Sequence, residues 1–186
     1  MTLIQRRRAL TAVKNARLPA EYQEVEYLTS QDVYANRYVN TQIDVNSVTN
    51  VAMLYSKETT RYGIIIATYS DGSLGIPFGE MSNTVGGRGW ECSPKIERET
   101  LLDKANLTFT RTKTGDGAIA LMGWSNYVYV PKGKLYSATF YNSTNAIVGD
   151  FVPCYRKADT AIGLYDTVNQ RFCQQTGGIG KGPDVT

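Results

Sequence analysis

Asp150–Phe172, DFVPCYRKADTAIGLYDTVNQRF, predicts strand, strand, reversal and returning strand, and it sets the fold class for the rest of the chain. Ile162 and Leu164 fall on one face of an extended segment, since side chains in a strand alternate with period two. Asp166-Thr167-Val168-Asn169 then supplies short polar side chains that bond to their own backbone and reverse the chain. Phe172 is expected to return to the core, which makes the segment a closing hairpin. The preceding Ile147–Tyr155 reads as its neighbouring strand.

Working outward, the same signals recur along the chain. Glu24–Leu28 and Arg37–Thr41 alternate, and strands are expected at Val51–Ser56, Gly63–Tyr69, Leu74–Gly79, Asn106–Arg111, Ala118–Trp124, Leu135–Tyr141 and Gln170–Gln174. In Leu135–Tyr141, Tyr136, Ala138 and Phe140 are expected on the apolar face and Ser137 and Thr139 on the wet one. Turn chemistry separates the strands at Ser70-Asp71-Gly72, Thr114–Gly117, Pro131-Lys132-Gly133 and Asn142–Asn145. The chain has 186 residues, 42% apolar, with 13 Tyr and 17 Gly, enough for one sizeable core and too few for two comfortable domains. An all-β antiparallel sandwich over residues 18–186 is therefore expected.

Residues 1–17 are different. Arg6, Arg7, Arg8, Lys14 and Arg17 occur there without an acid, and Leu3, Leu10 and Val13 form a thin apolar stripe at helical spacing. Pro19 ends any such helix. Taking those five from the 20 basic residues leaves 15 against 17 acidic ones, a net −2, so the overall +3 belongs to this arm. Nucleic-acid binding by the folded domain is not expected on charge. No apolar run is long enough to cross a bilayer, and no secretory signal follows the basic start, so membrane insertion is not expected either.

The sequence contains no histidine, which removes the commonest general base, His-dependent triads and His-ligated metal. Cys92, Cys154 and Cys173 are odd in number and lack CxxC spacing, so they read as small buried hydrophobes; a Cys154–Cys173 bridge across neighbouring strands has no sequence support. Gly86–Gly89 and Gly177–Gly182 are not phosphate loops, because Lys181 is followed by Gly and no helix follows. Glu24/Glu26 and Glu97/Glu99 each lie two apart, on one face if extended, and read as solvated structural charge rather than as a glycosidase pair. Candidate ligand-binding residues are the aromatics and amide of the middle: Trp90 behind a glycine-rich loop, then Trp124, Asn126, Tyr127 and Tyr129, which together offer ring faces for sugar C–H groups and polar atoms for hydroxyls.

Two segments carry a resemblance to a known family. Leu18–Ile43, LPAEYQEVEYLTSQDVYANRYVNTQI, and Asp150–Phe172, continued by GGIGKGPD at Gly177–Asp184, resemble the concanavalin A-like (LamG-like) jelly-roll domains found in tail and surface proteins of phages and prophages of gut bacteria. The resemblance implies a jelly roll and a non-enzymatic virion component, a head-decorating or tail-associated protein made in the host cytoplasm. Its partners would be other virion proteins, copies of itself and surface glycans. The arm, with Arg6, Arg7, Arg8, Leu10, Val13 and Lys14, would anchor it to the particle. A free lectin and a purely structural coat protein are the alternatives. No cofactor is implied. Some relatives bind calcium, and the acids here, Asp32, Asp44, Asp71, Asp116 and Asp159, are too scattered to assign a site.

Overall fold

A computed structural model describes residues 18–31, 33–60, 65–68, 86–87, 90–94, 100–123, 128–130 and 132–186. Its strands are β1 (Tyr22–Glu24), β2 (Leu28–Ser30), β3 (Val33–Ala35), β4 (Tyr38–Asp44), β5 (Asn50–Lys57), β6 (Ile66–Thr68), β7 (Gly86–Gly87), β8 (Trp90–Ser93), β9 (Leu102–Arg111), β10 (Ala118–Leu121), β11 (Val128–Val130), β12 (Gly133–Tyr141), β13 (Ile147–Arg156), β14 (Ile162–Asp166), β15 (Arg171–Thr176) and β16 (Gly180–Lys181). Among the described residues there is no α-helix. A 3-10 turn at Val45–Ser47 follows β4, its first turn capped by the Asp44 carboxylate, which accepts from Asn46 N at 2.6 Å. The arm and the expected strand at Leu74–Gly79 lie outside the described residues, and β8 was not anticipated from the sequence.

Every pairing is antiparallel. The main sheet runs β6-β10-β4-β15-β14-β13-β12-β5-β9-β8-β7, with β1 added to β13, and β2 to β12 and β16; β3 and β11 form a separate ribbon. So long a sheet does not lie flat, and its two ends share one core. Val39 and Ile43 of β4, Ile66 of β6 and Ile119 of β10 belong to the same buried cluster as Tyr55 of β5, Phe109 of β9 and Trp90 of β8. Gly149 of β13 reports how closely the curl closes: a Cβ there would collide with Ile43 Cδ1 of β4. The sheet is therefore a curled antiparallel one wrapped around a single core, which accounts for the alternating burial of β5 and β9.

The two ends of the chain are joined in this sheet. β1 lies on β13, β16 on β2, and β15 on β4. Between them, Val25 N donates to Pro153 O at 2.9 Å, Glu26 N to Pro183 O at 2.9 Å, Gly182 N to Tyr27 O at 2.8 Å and Val185 N to Glu24 O at 3.0 Å. Leu18–Ile43 and Asp150–Asp184 thus fold as one unit although more than a hundred residues separate them.

Two side-chain orientations differ from expectation. Across β14–β15, Leu164 pairs with Cys173 and Tyr165 with Phe172. Leu164 and Cys173 are buried in the core, whereas Phe172 is half-buried on the other face, stacked on Tyr22 at 5.2 Å with the Arg156 guanidinium 5.4 Å from its ring. The turn sets that register one residue away from the expected one, and a one-residue shift exchanges the faces. In β12 the register shifts between Leu135 and Ser137, so Leu135, Ala138 and Phe140 point inward and Tyr136 is turned outward. The extra residue of a bulge resets the alternation.

The turn itself is organised by a fully buried carboxylate. Asp166 Oδ1 accepts from the backbone N–H of Asp150 (3.3 Å), Val168 (3.1 Å) and Asn169 (3.2 Å); Oδ2 accepts from Asn169 Nδ2 at 2.7 Å and lies 3.5 Å from Arg171 Nη2. Arg171 reaches on to Thr41 O at 2.8 Å, so the turn also ties β15 to β4. Asp166→Ala leaves several buried donors without their acceptor and takes the carboxylate away from the Arg171 guanidinium, and is expected to destabilise the fold by about 3 kcal/mol in denaturant titration.

Candidate functional site

The sequence singled out the aromatic middle. Trp90 is 2% exposed and sits in the core cluster between β7 and β9, which corrects the expectation of a surface platform. Strand pairing explains this: β8 reads buried, exposed, buried, exposed, and Trp90 takes an inward position with Cys92. Among the described residues its Nε1 is buried without a hydrogen-bond partner. Tyr129 lies in β11 opposite Tyr34 of β3. Trp124, Asn126, Tyr127, the pair Glu97/Glu99 and the six arm residues lie outside the described residues.

The structure instead presents a groove on the outer face of the sheet, of about 380 Å³, where β12 and β13 part company. These two strands pair only as far as Ala138 and Phe151. Beyond that point β12 takes β2 as its neighbour, from Leu135, and β13 takes β1, from Cys154. The fork leaves a trough lined by Ser137, Thr139 and Val152, together with Leu54 of β5. Its walls carry Tyr136, which the bulge turns outward, and Tyr141 at the end of β12.

Charge in the groove is mostly negative. Among the described residues, Glu24, Glu26 and Asp150 line it together with Lys104, whose ammonium lies 3.6 Å from Glu26 and 4.5 Å from the centre of the Tyr136 ring. Glu26 and Lys104 are each 48% exposed, so their attraction is weak and readily exchanged for another partner. Thr139 Oγ1 donates to Asp150 Oδ1 at 3.0 Å and Thr167 Oγ1 to Asp150 Oδ2 at 3.1 Å, which fixes that carboxylate between the groove and the Asp166 turn. Tyr27 packs edge-on against Tyr136 with centroids 5.4 Å apart, under the Lys134 ammonium at 5.0 Å. Ring faces, carboxylates and hydroxyls at one open trough are suited to hydroxyl-bearing or cationic ligands.

Among the described sequence candidates, the structural pair Glu24/Glu26 lines the groove. Tyr136, Tyr141 and Asp150 are not among the sequence candidates, because alternation alone puts Tyr136 in the core and Asp150 reads as a strand residue. The wet face expected of β12, Ser137 and Thr139, was the available signal.

Among the described residues no three acids or cysteines converge on a metal-sized site. Asp44 caps the 3-10 turn, and Asp159 is paired with Arg156 at 2.6 Å, which lowers its carboxyl to about 2. No helix among the described residues is long and apolar enough to cross a membrane. Compared with known protein families, curated proteins and solved structures, the chain matches none.

The cysteines are free and buried. Cys154 is on β13 and Cys173 on β15, with β14 between them. Two strand spacings, roughly 9–10 Å, exceed the Cα separation a disulfide spans, so they are not on neighbouring strands and do not pair. Burial pushes the thiols up, to about 11 for Cys92 and Cys173 and about 12 for Cys154. Since the thiolate is the reactive form, the native protein is expected to resist alkylation at pH 8 and to take up three labels only on unfolding, as mass spectrometry would read.

Proposed function

We propose that this chain is a non-enzymatic component of a phage or prophage particle, a concanavalin A-like jelly roll that binds surface glycans and is anchored by its N-terminal arm. The family reading draws on the two segments that resemble such domains, and it is supported by their meeting in the fold: β1, β2 and β4 from one segment pair with β13, β15 and β16 from the other or with their neighbours. The curled, all-antiparallel sheet is of the kind a jelly roll requires.

The observation that carries the binding role is the open groove at the β12–β13 fork. Sugars are held by ring faces under their C–H surface and by planar or hydroxyl groups around it, and Tyr136, Tyr141, Asp150, Glu24 and Thr139 provide both kinds of contact. Binding rather than turnover is favoured by the histidine-free sequence and by the missing strand-borne acidic triplet of sandwich glycosidases.

Glycan-array binding by the purified protein, with the protein also found in purified particles, is the expected result. Tyr141→Ala, at a half-exposed groove position, is expected to weaken binding about tenfold or more while the melting temperature changes little. Release of reducing ends that disappears in Glu24→Gln would overturn the non-enzymatic reading, and an array without any binder would overturn the glycan role.

A further inference from the structure

We propose that the groove at the β12–β13 fork is the middle of a longer track, and that its ligand is a linear, uncharged oligosaccharide lying across the strands rather than a single terminal sugar. This inference rests on the glycan reading above and adds to it the length, direction and charge class of the glycan.

Strand register carries it. Leu54 of β5 is opposite Asn106 of β9 and Ser137 of β12. β12 and β13 stop pairing at Ala138 and Phe151, which leaves Ser137 and Val152 on either side of the fork. Val152 is opposite Tyr165 of β14, and Tyr165 is opposite Phe172 of β15. Residues opposite one another in an antiparallel pair share a face. This row points away from the core, because the next residue in each strand, Leu107, Met53, Ala138, Phe151, Leu164 or Cys173, belongs to the buried cluster. At about 4.8 Å per strand, the row from Asn106 to Phe172 is roughly 24 Å long.

Its composition is the second observation. An outward row on the wet face of an antiparallel sheet is ordinarily polar. Here Leu54, Val152, Tyr165 and Phe172 fall in line, and Tyr22 of β1 joins them with its ring centre 4.9 Å from that of Tyr165 and 5.2 Å from that of Phe172. Leu54, Tyr22 and Phe172 are half-buried, and Val152 and Tyr165 are nearly covered by their neighbours. The adjacent outward row is different. Thr108, Ala52, Thr139 and Asp150 are opposite one another, and Thr167 continues the row with its N–H donating to Asp150 O at 2.8 Å. An apolar row beside a row of hydroxyls complements a sugar chain, which has C–H faces and hydroxyl edges.

Length and charge define the ligand further. The row runs past the groove on both sides, to Asn106 in one direction and to Tyr165 and Phe172 in the other, so a single sugar would leave both ends uncovered. Neither row contains a lysine or an arginine. Arg156, 5.4 Å from the Phe172 ring, is held by Asp159 through bonds of 3.0 and 2.6 Å, and Lys104 in the groove is set beside Glu26. Sulfated and uronic glycans are recognised through charge-assisted bonds from such cations, so the track fits a neutral chain.

Isothermal titration of the full-length protein with cello- and chito-oligosaccharides, each from disaccharide to hexasaccharide, tests the track. The hexasaccharide is expected to bind about tenfold more tightly than the disaccharide or better. It is also expected to shift the amide signals of Asn106, Tyr165 and Phe172, where the disaccharide shifts only those of the groove. Phe172→Leu and Asn106→Ala are each expected to weaken hexasaccharide binding severalfold; Asn106 is exposed, so its variant decides if Phe172→Leu lowers the melting temperature. Equal affinity at all lengths, or shifts confined to the groove, overturns the track and leaves the glycan role standing. Tighter binding of a heparin hexasaccharide than of the neutral ones overturns the uncharged class. Titration without heat from any member overturns the track, and a glycan array without a binder removes the glycan role with it.

Discussion

The pairing of the chain's two ends is the interaction on which the other features depend. β1 on β13, β16 on β2 and β15 on β4 are contacts between residues more than a hundred positions apart, and each closes a loop whose entropy opposes folding. They hold because each buries something. Val25 and Leu28 on the first segment, and Leu164, Cys173 and Ile179 on the last, all enter one core. The backbone bonds from Val25 to Pro153, Glu26 to Pro183 and Gly182 to Tyr27 then satisfy polar groups that the closure would otherwise leave unpaired beside that core.

The groove follows from this closure. β13 is ten residues long and has two successive neighbours on one edge, β12 and then β1. Along that edge β13 pairs first with β12 and then with β1, so the strands fork, and Tyr136, Ser137 and Val152 line the gap. The bulge in β12 falls there and turns Tyr136 out to wall it. Asp166 secures the same region from the side, through Asp150 N and through Thr167, which donates to Asp150. Turn, fork and groove are thus one connected unit, in which β1 and β13 of the terminal segments meet β5, β9 and β12.

This division explains what could be read from the sequence. Alternation and turn residues predicted β5, β12, β13, β14 and β15 close to where they lie, because those strands each have one face in the core. Phe172 and Tyr136 were placed on the wrong face because register and bulges are set by partners across the sheet, which a single strand's pattern does not contain. Trp90 was expected at the surface because it follows glycines, yet β8 pairs with β9 and alternation takes it inward. The groove was not legible at all: it is made by residues from β1, β5, β9, β12 and β13 that converge only after the strands fork. The composition was more telling about exclusion, since the absence of histidine needs no structure to interpret.

Native-state hydrogen exchange tests the end-pairing account most directly. If the terminal segments close the core, the amides of Val25, Glu26, Gly182 and Val185 should exchange with the same free energy as those of β13 and β14, at the limit set by global unfolding. Exchange of the four terminal amides through a much cheaper local opening, with β5, β9 and β12 still protected, would show that the core stands without the clasp and would contradict the account.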